Sequence, residues 1–133
     1  MGLSENIASV RGKIASAAER AGRKAEDITL VAVSKTVGAE VVEAAYREGL
    51  RCFGENRVQE FVKKSEVLPK DIEWNLIGQL QTNKVKYIID KVSLIHSIDS
   101  YSLIKEVEKQ AKKHDLKMPI LIQVNVAKEE SKH

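Results

Sequence analysis

Apolar residues recur along the chain in two alternating signatures. Ile7, Val10, Ile14, Ala17, Ala18 and Ala21 follow gaps of mostly three and four and predict an amphipathic helix over 4–21. Ser4 stands where it can cap the start of that helix, and Gly22 where it can close the end. A β-branched run follows over 28–33, with no polar alternation past Thr29, the pattern of a strand buried on both faces of a parallel sheet. The two signatures then repeat. Val41, Ala44 and Ala45 mark a helix closed by Gly49, and 50–53 a brief strand. Val58, Phe61 and Val62 mark a helix that stops before Pro69, and 72–77 a strand. Val85, Ile88 and Ile89 mark a helix, and 93–98 a strand. Leu103, Ile104, Val107 and Ala111 mark a longer helix, and 119–126 a last strand, where Pro119 is tolerated as the first residue.

The order is one leading helix, then strands and helices in strict alternation. That order predicts right-handed crossovers and a parallel α/β sheet. Two architectures satisfy it: a complete five-stranded doubly wound sheet, or the first five units of a (β/α)8 barrel of the TIM type, which normally needs about 250 residues. Periodicity does not separate them. The 133 residues stop soon after an apolar strand, with no helix to cover it, which favours an incomplete barrel of about five β/α units. No Gly/Ser/Pro-rich linker divides the chain, so 1–133 is expected to form a single domain.

Composition narrows the function classes. A hydrophobic fraction of 43% with 31% charged residues is the balance of a globular domain with a real core. The net charge of +3 falls short of the dense Lys/Arg clustering that nucleic-acid binding needs. Lys109, Lys112, Lys113 and Lys117 fit a solvated helix face. One cysteine, Cys52, leaves no disulfide framework within the chain, which fits a reducing compartment. Residues 1–20 lack the apolar core of a secretory signal, and no run approaches the roughly 18 apolar residues of a membrane span. A cytoplasmic protein with neither nucleic acid nor membrane as partner is expected. His96, His114 and His133 have no metal-ligand spacing with one another or with Cys52. There is no Walker loop and no G-x-G-x-x-G, and Ser34 lacks a nucleophile-elbow context.

In either architecture ligands bind at the C-terminal ends of the strands. The polar residues there are Ser34-Lys35-Thr36, then Gly54-Glu55-Asn56 with Arg57 and Gln59, then Gly78 to Lys84, then Ser97, Asp99 and Ser100, and last Lys128, Glu129 and Ser131, with Asn125 inside the final strand. Lys35 has the sharpest chemistry: partial desolvation at a barrel mouth favours the neutral amine that attacks an aldehyde. A strand-end lysine is more often simply solvated, so position alone assigns it no role. Gly54-Glu55-Asn56 ends a strand and opens a helix that Asn56 can cap, and backbone N–H groups at such a start bind anions. Residues 79–84 offer amides and a cation to a ligand, or a helix start capped by Thr82 or Asn83.

Taken together, four segments closely resemble the pyridoxal phosphate homeostasis protein family: Leu30-Val31-Ala32-Val33-Ser34-Lys35-Thr36, Phe53-Gly54-Glu55-Asn56-Arg57-Val58-Gln59-Glu60, Ile77-Gly78-Gln79-Leu80-Gln81-Thr82-Asn83-Lys84 and Ile122-Gln123-Val124-Asn125-Val126, joined by Ser97-Ile98-Asp99-Ser100. The resemblance runs in order through nearly the whole chain. It implies an alanine racemase-like barrel that binds pyridoxal 5'-phosphate (PLP) as a Schiff base on Lys35, with Asn56 near the cofactor. It also implies a role in vitamin B6 homeostasis without established turnover, no catalytic residue, and PLP-dependent apoenzymes as possible acceptors. Trp74-Asn75 departs from the family's usual Trp-His. Family members are much longer, so the chain resembles their N-terminal portion; the main phosphate loop and the arginine near the pyridine nitrogen are expected in the remainder. Open sheet edges and a half-exposed apolar interior would then favour self-association and weaken PLP affinity. Two competing readings are a racemase-like PLP enzyme, which needs a second acid/base residue opposite Lys35, and a five-stranded binding module without PLP.

Overall fold

The computed structural model describes residues 2–126. Lys128, Glu129, Ser131 and His133, named above, lie outside the described residues. The chain begins with helix α1 (Leu3–Arg20) and a 3-10 turn over Ala25–Asp27. Strands β1 (Ala32–Val33), β2 (Cys52–Glu55), β3 (Glu73–Leu76), β4 (Leu94–Ile98) and β5 (Ile120–Ile122) then alternate with helices α2 (Ala39–Arg47), α3 (Val58–Val67), α4 (Val85–Ile88) and α5 (Tyr101–Lys113). A second 3-10 turn, Thr82–Lys84, leads into α4.

The five strands form one parallel sheet in the order β1-β2-β3-β4-β5. A doubly wound sheet reverses its strand order at a switch point, whereas a barrel adds each strand beside the last. The sequential order therefore places this sheet in the barrel class.

The two faces of the sheet differ. Phe53 and Trp74 pack tilted by 46° with ring centroids 6.0 Å apart, and Phe61 of α3 meets Trp74 edge-on at 5.4 Å. With Leu76, Val85, Ile88 and Ile95 they form the core between sheet and helices. Residues of the opposite parity, Val31, Gly54 and Ile77, lie side by side: a Cβ on Gly54 would sit 3.1 Å from Val31 and 3.2 Å from Ile77.

The outer strands are shorter and more exposed than their apolar runs predict. Of 28–33 only Ala32 and Val33 are in a strand, and Val33 is 54% exposed instead of buried on both faces. Of 119–126 only Ile120–Ile122 is in a strand, and Leu121, Ile122, Val124 and Val126 are exposed. Among the described residues both are edge strands, each with one neighbouring strand.

Helix ends also differ from expectation. α1 begins at Leu3 behind Gly2, and no side-chain cap forms, so Ser4 lies inside the helix. Gly22 and Gly49 close α1 and α2 with φ of 71° and 101°, as their positions predict. Ser100 caps α5, its Oγ accepting from the Leu103 N–H at 3.2 Å.

Candidate functional site

The C-terminal ends of the strands are tied together by a few short-range contacts. Ser34, just past β1, is buried. Its N–H donates to the Gly54 carbonyl at 2.9 Å, and its hydroxyl reaches the same carbonyl at 3.2 Å. Ser97 on β4 is buried in the same way, and its hydroxyl donates to the Gly78 carbonyl. Between these two clamps, Gly78 packs against Asn56: a Cβ there would overlap the Asn56 carbonyl and its Oδ1. Glycine is required at 78 by this close approach of backbone to backbone. The rim is therefore joined from β1 to β4.

Lys35 and Asn56 each lie two residues beyond a paired position, Val33 opposite Gly54. Lys35 sits second in a turn closed by the Val37 N–H donating to the Ser34 carbonyl at 3.3 Å. Thr36, third in that turn, has φ of 67°, a left-handed conformation that β-branched residues seldom adopt. A turn with positive φ at its third residue normally places glycine there. Backbone strain of this kind persists where the surroundings over-determine it, and it clusters at functional sites. Lys35 itself is exposed.

Asn56 is half-buried and does not cap α3; Arg57 occupies the N-cap without a side-chain hydrogen bond. Neither Thr82 nor Asn83 caps α4, whose N-cap is Lys84. Asn56, Arg57, Gln59, Gln79, Gln81 and Lys84 instead line a polar cleft of about 270 Å³. A larger cleft of about 540 Å³ between α3 and α4 is lined by Val58, Val62 and Tyr87 among others, and Lys35 does not contribute to it.

Behind the Lys35 turn lies a network that periodicity did not single out. Glu55 is fully buried, and its Oε2 accepts from the Ser34 hydroxyl and from Lys64 Nζ at 2.8 Å. Lys64 also donates to the Ser34 carbonyl at 2.8 Å. The signal was present in the parity of β2: Glu55 alternates with Phe53 onto the helix-covered face. Lys64 follows Phe61 by three residues on α3, where it reaches the same face.

On the other face, Asn75 takes the position beside β2 and β4. Its Nδ2 donates to Cys52 Sγ at 3.1 Å, and its Oδ1 accepts from His96 Nε2 at 2.7 Å. Burial pushes the Cys52 thiol up in pKa; the Asn75 amide lowers it and nearby Glu73 raises it, both more weakly. His96 is thus hydrogen-bonded within the sheet, and no group of metal ligands forms among the described residues.

Residues 6–129 match the alanine racemase N-terminal domain family. The pyridoxal phosphate homeostasis protein of Aquifex aeolicus is 49% identical over 99% of this chain and 58% of its own length. That of Escherichia coli K12 is 40% identical over 98% of this chain and 57% of its own. PipY of Synechococcus elongatus, solved with PLP bound, is 33% identical and superposes with a TM-score of 0.81 over 94% of this chain and 55% of that one. A protein of Bifidobacterium adolescentis superposes at 0.86 with 34% identity, over 96% and 56%. The chain thus spans somewhat more than half the length of the relatives it matches. It belongs to the alanine racemase N-terminal domain family, with pyridoxal phosphate homeostasis proteins among its relatives.

Proposed function

We propose that this chain binds PLP and serves intracellular PLP homeostasis as the N-terminal part of a PLP-binding (β/α)8 barrel. In this reading Lys35 captures the cofactor's aldehyde and Asn56 lies beside it. The observation that carries the reading is the Lys35 turn: an exposed primary amine at the C-terminal end of β1, held in a turn with a left-handed threonine. The residues present fit the carbonyl end of PLP. Lys35 supplies the amine, and Asn56 places an amide close against Gly78 on the adjoining strand end.

When bound, PLP supplies an aldehyde for covalent attachment and an electron-withdrawing ring. The chain's own part is to hold and orient. Ser34 anchors the first residue of the turn to β2, and the Ser97–Gly78 bond anchors the far side of the rim. PLP-dependent apoenzymes in the cytoplasm are the acceptors this role calls for.

The test is a PLP titration followed by visible absorbance, with pyridoxine 5'-phosphate, which lacks the aldehyde, as control. A saturable new band with PLP alone is expected. A chain that remains colourless at saturating PLP contradicts the reading.

A further inference from the structure

The Ser34–Glu55–Lys64 network lies on the helix-covered side of the sheet and grips the peptide that leads into Lys35. Lys64 Nζ is 2.8 Å from the Ser34 carbonyl, the first half of the Ser34–Lys35 peptide bond. The same ammonium is 2.8 Å from Glu55 Oε2, which also accepts from the Ser34 hydroxyl. The side chain of Lys64 is 11% exposed and that of Glu55 0%. Oε1 of Glu55 has no hydrogen-bond partner among the described residues, so the carboxylate depends on Ser34 and Lys64.

We propose that Lys64 and Glu55 are positioning residues for Lys35: the buried ion pair locks the Ser34–Lys35 peptide plane and with it the direction in which the Lys35 amine leaves the sheet. The inference rests on the proposed role of Lys35. Three of Ser34's polar groups are fixed: its N–H by Gly54, its carbonyl by Lys64, and its hydroxyl by Gly54 and Glu55. The next residue after Lys35 is Thr36, at φ 67°. An unrestrained turn would relax that residue toward negative φ and swing Lys35 with it. A pair used only for stability has no need to reach the Ser34 carbonyl. This pair holds one end of the strained turn and leaves the lysine free at the other.

The variants are Lys64→Arg, which keeps the charge, and Glu55→Leu combined with Lys64→Met, which replaces the pair by apolar residues of similar size. Replacing a buried ion pair as a whole often leaves a fold intact. Two readouts are taken on the full chain: hydrogen exchange of the Val37 amide, which needs no cofactor, and the rate at which borohydride traps added PLP on Lys35. In the double variant the Val37 amide should exchange about tenfold faster, and trapping on Lys35 should slow by about ten- to a hundredfold, the usual scale of a misplaced reacting group. Lys64→Arg should retain most of both. A folded double variant that exchanges and traps like the parent overturns the proposal. If the double variant does not fold, Lys64→Gln is judged by the same two outcomes. If the parent chain traps no PLP on Lys35, the proposed function fails, while the exchange of Val37 still decides whether Lys64 and Glu55 hold the turn.

Discussion

At the scale of single residues, the backbone of Thr36 and the absent side chain of Gly78 are the most informative features of the rim. Thr36→Gly removes a left-handed penalty of about 1–2 kcal/mol and adds glycine's entropy cost of about 0.5–1 kcal/mol. A net gain of about 0–1.5 kcal/mol in urea unfolding is expected; a loss of stability would mean the turn is not strained. Gly78→Ala has the opposite sign. The new methyl would press on the Asn56 backbone, and a loss of about 1–3 kcal/mol is expected in the same assay.

Cys52 gives a pH-dependent expectation. Its folded-state pKa is raised, so its protonated form is favoured by folding; that contribution is intact at neutral pH and declines as pH rises through the thiol range. Iodoacetamide near pH 8 should therefore alkylate the folded chain more slowly than the urea-unfolded chain, and equal rates would contradict the shift. The strand-end positions of Lys35 and Asn56 were legible in the sequence because strand ends can be located from periodicity, whereas their proposed roles came from the family resemblance. Glu55 and Lys64 were not, because a glutamate at a strand end and a lysine on a helix read as solvated until both are seen to face the same buried serine.

At the scale of elements, the helices followed their periodicity more closely than the strands did. α5 buries Leu103, Val107 and Ala111, one apolar stripe at helical spacing, and starts at a serine cap. Ser100→Ala should cost about 1 kcal/mol by removing the acceptor for the Leu103 N–H. Phe61→Ala should cost about 3–5 kcal/mol, because the ring is fully buried against Trp74; thermal unfolding measures both. Strands β1 and β5 were expected to be longer, and β1 to be buried on both faces. An apolar run records what a chain can bury, whereas pairing also needs a neighbour, and these strands have one neighbour each among the described elements.

At the scale of the molecule, alternation of strands and helices specified a parallel sheet but left two architectures open. The strand order β1 to β5 separated them, a property of the sheet that no local pattern contains. The central claim is that the rim built at the ends of those strands presents Lys35 to PLP. The most direct measurement is to incubate the chain with PLP, reduce with borohydride, and map the modified peptide by mass spectrometry. The account predicts a single predominant adduct on Lys35. No adduct, or a predominant adduct on another lysine, would contradict it.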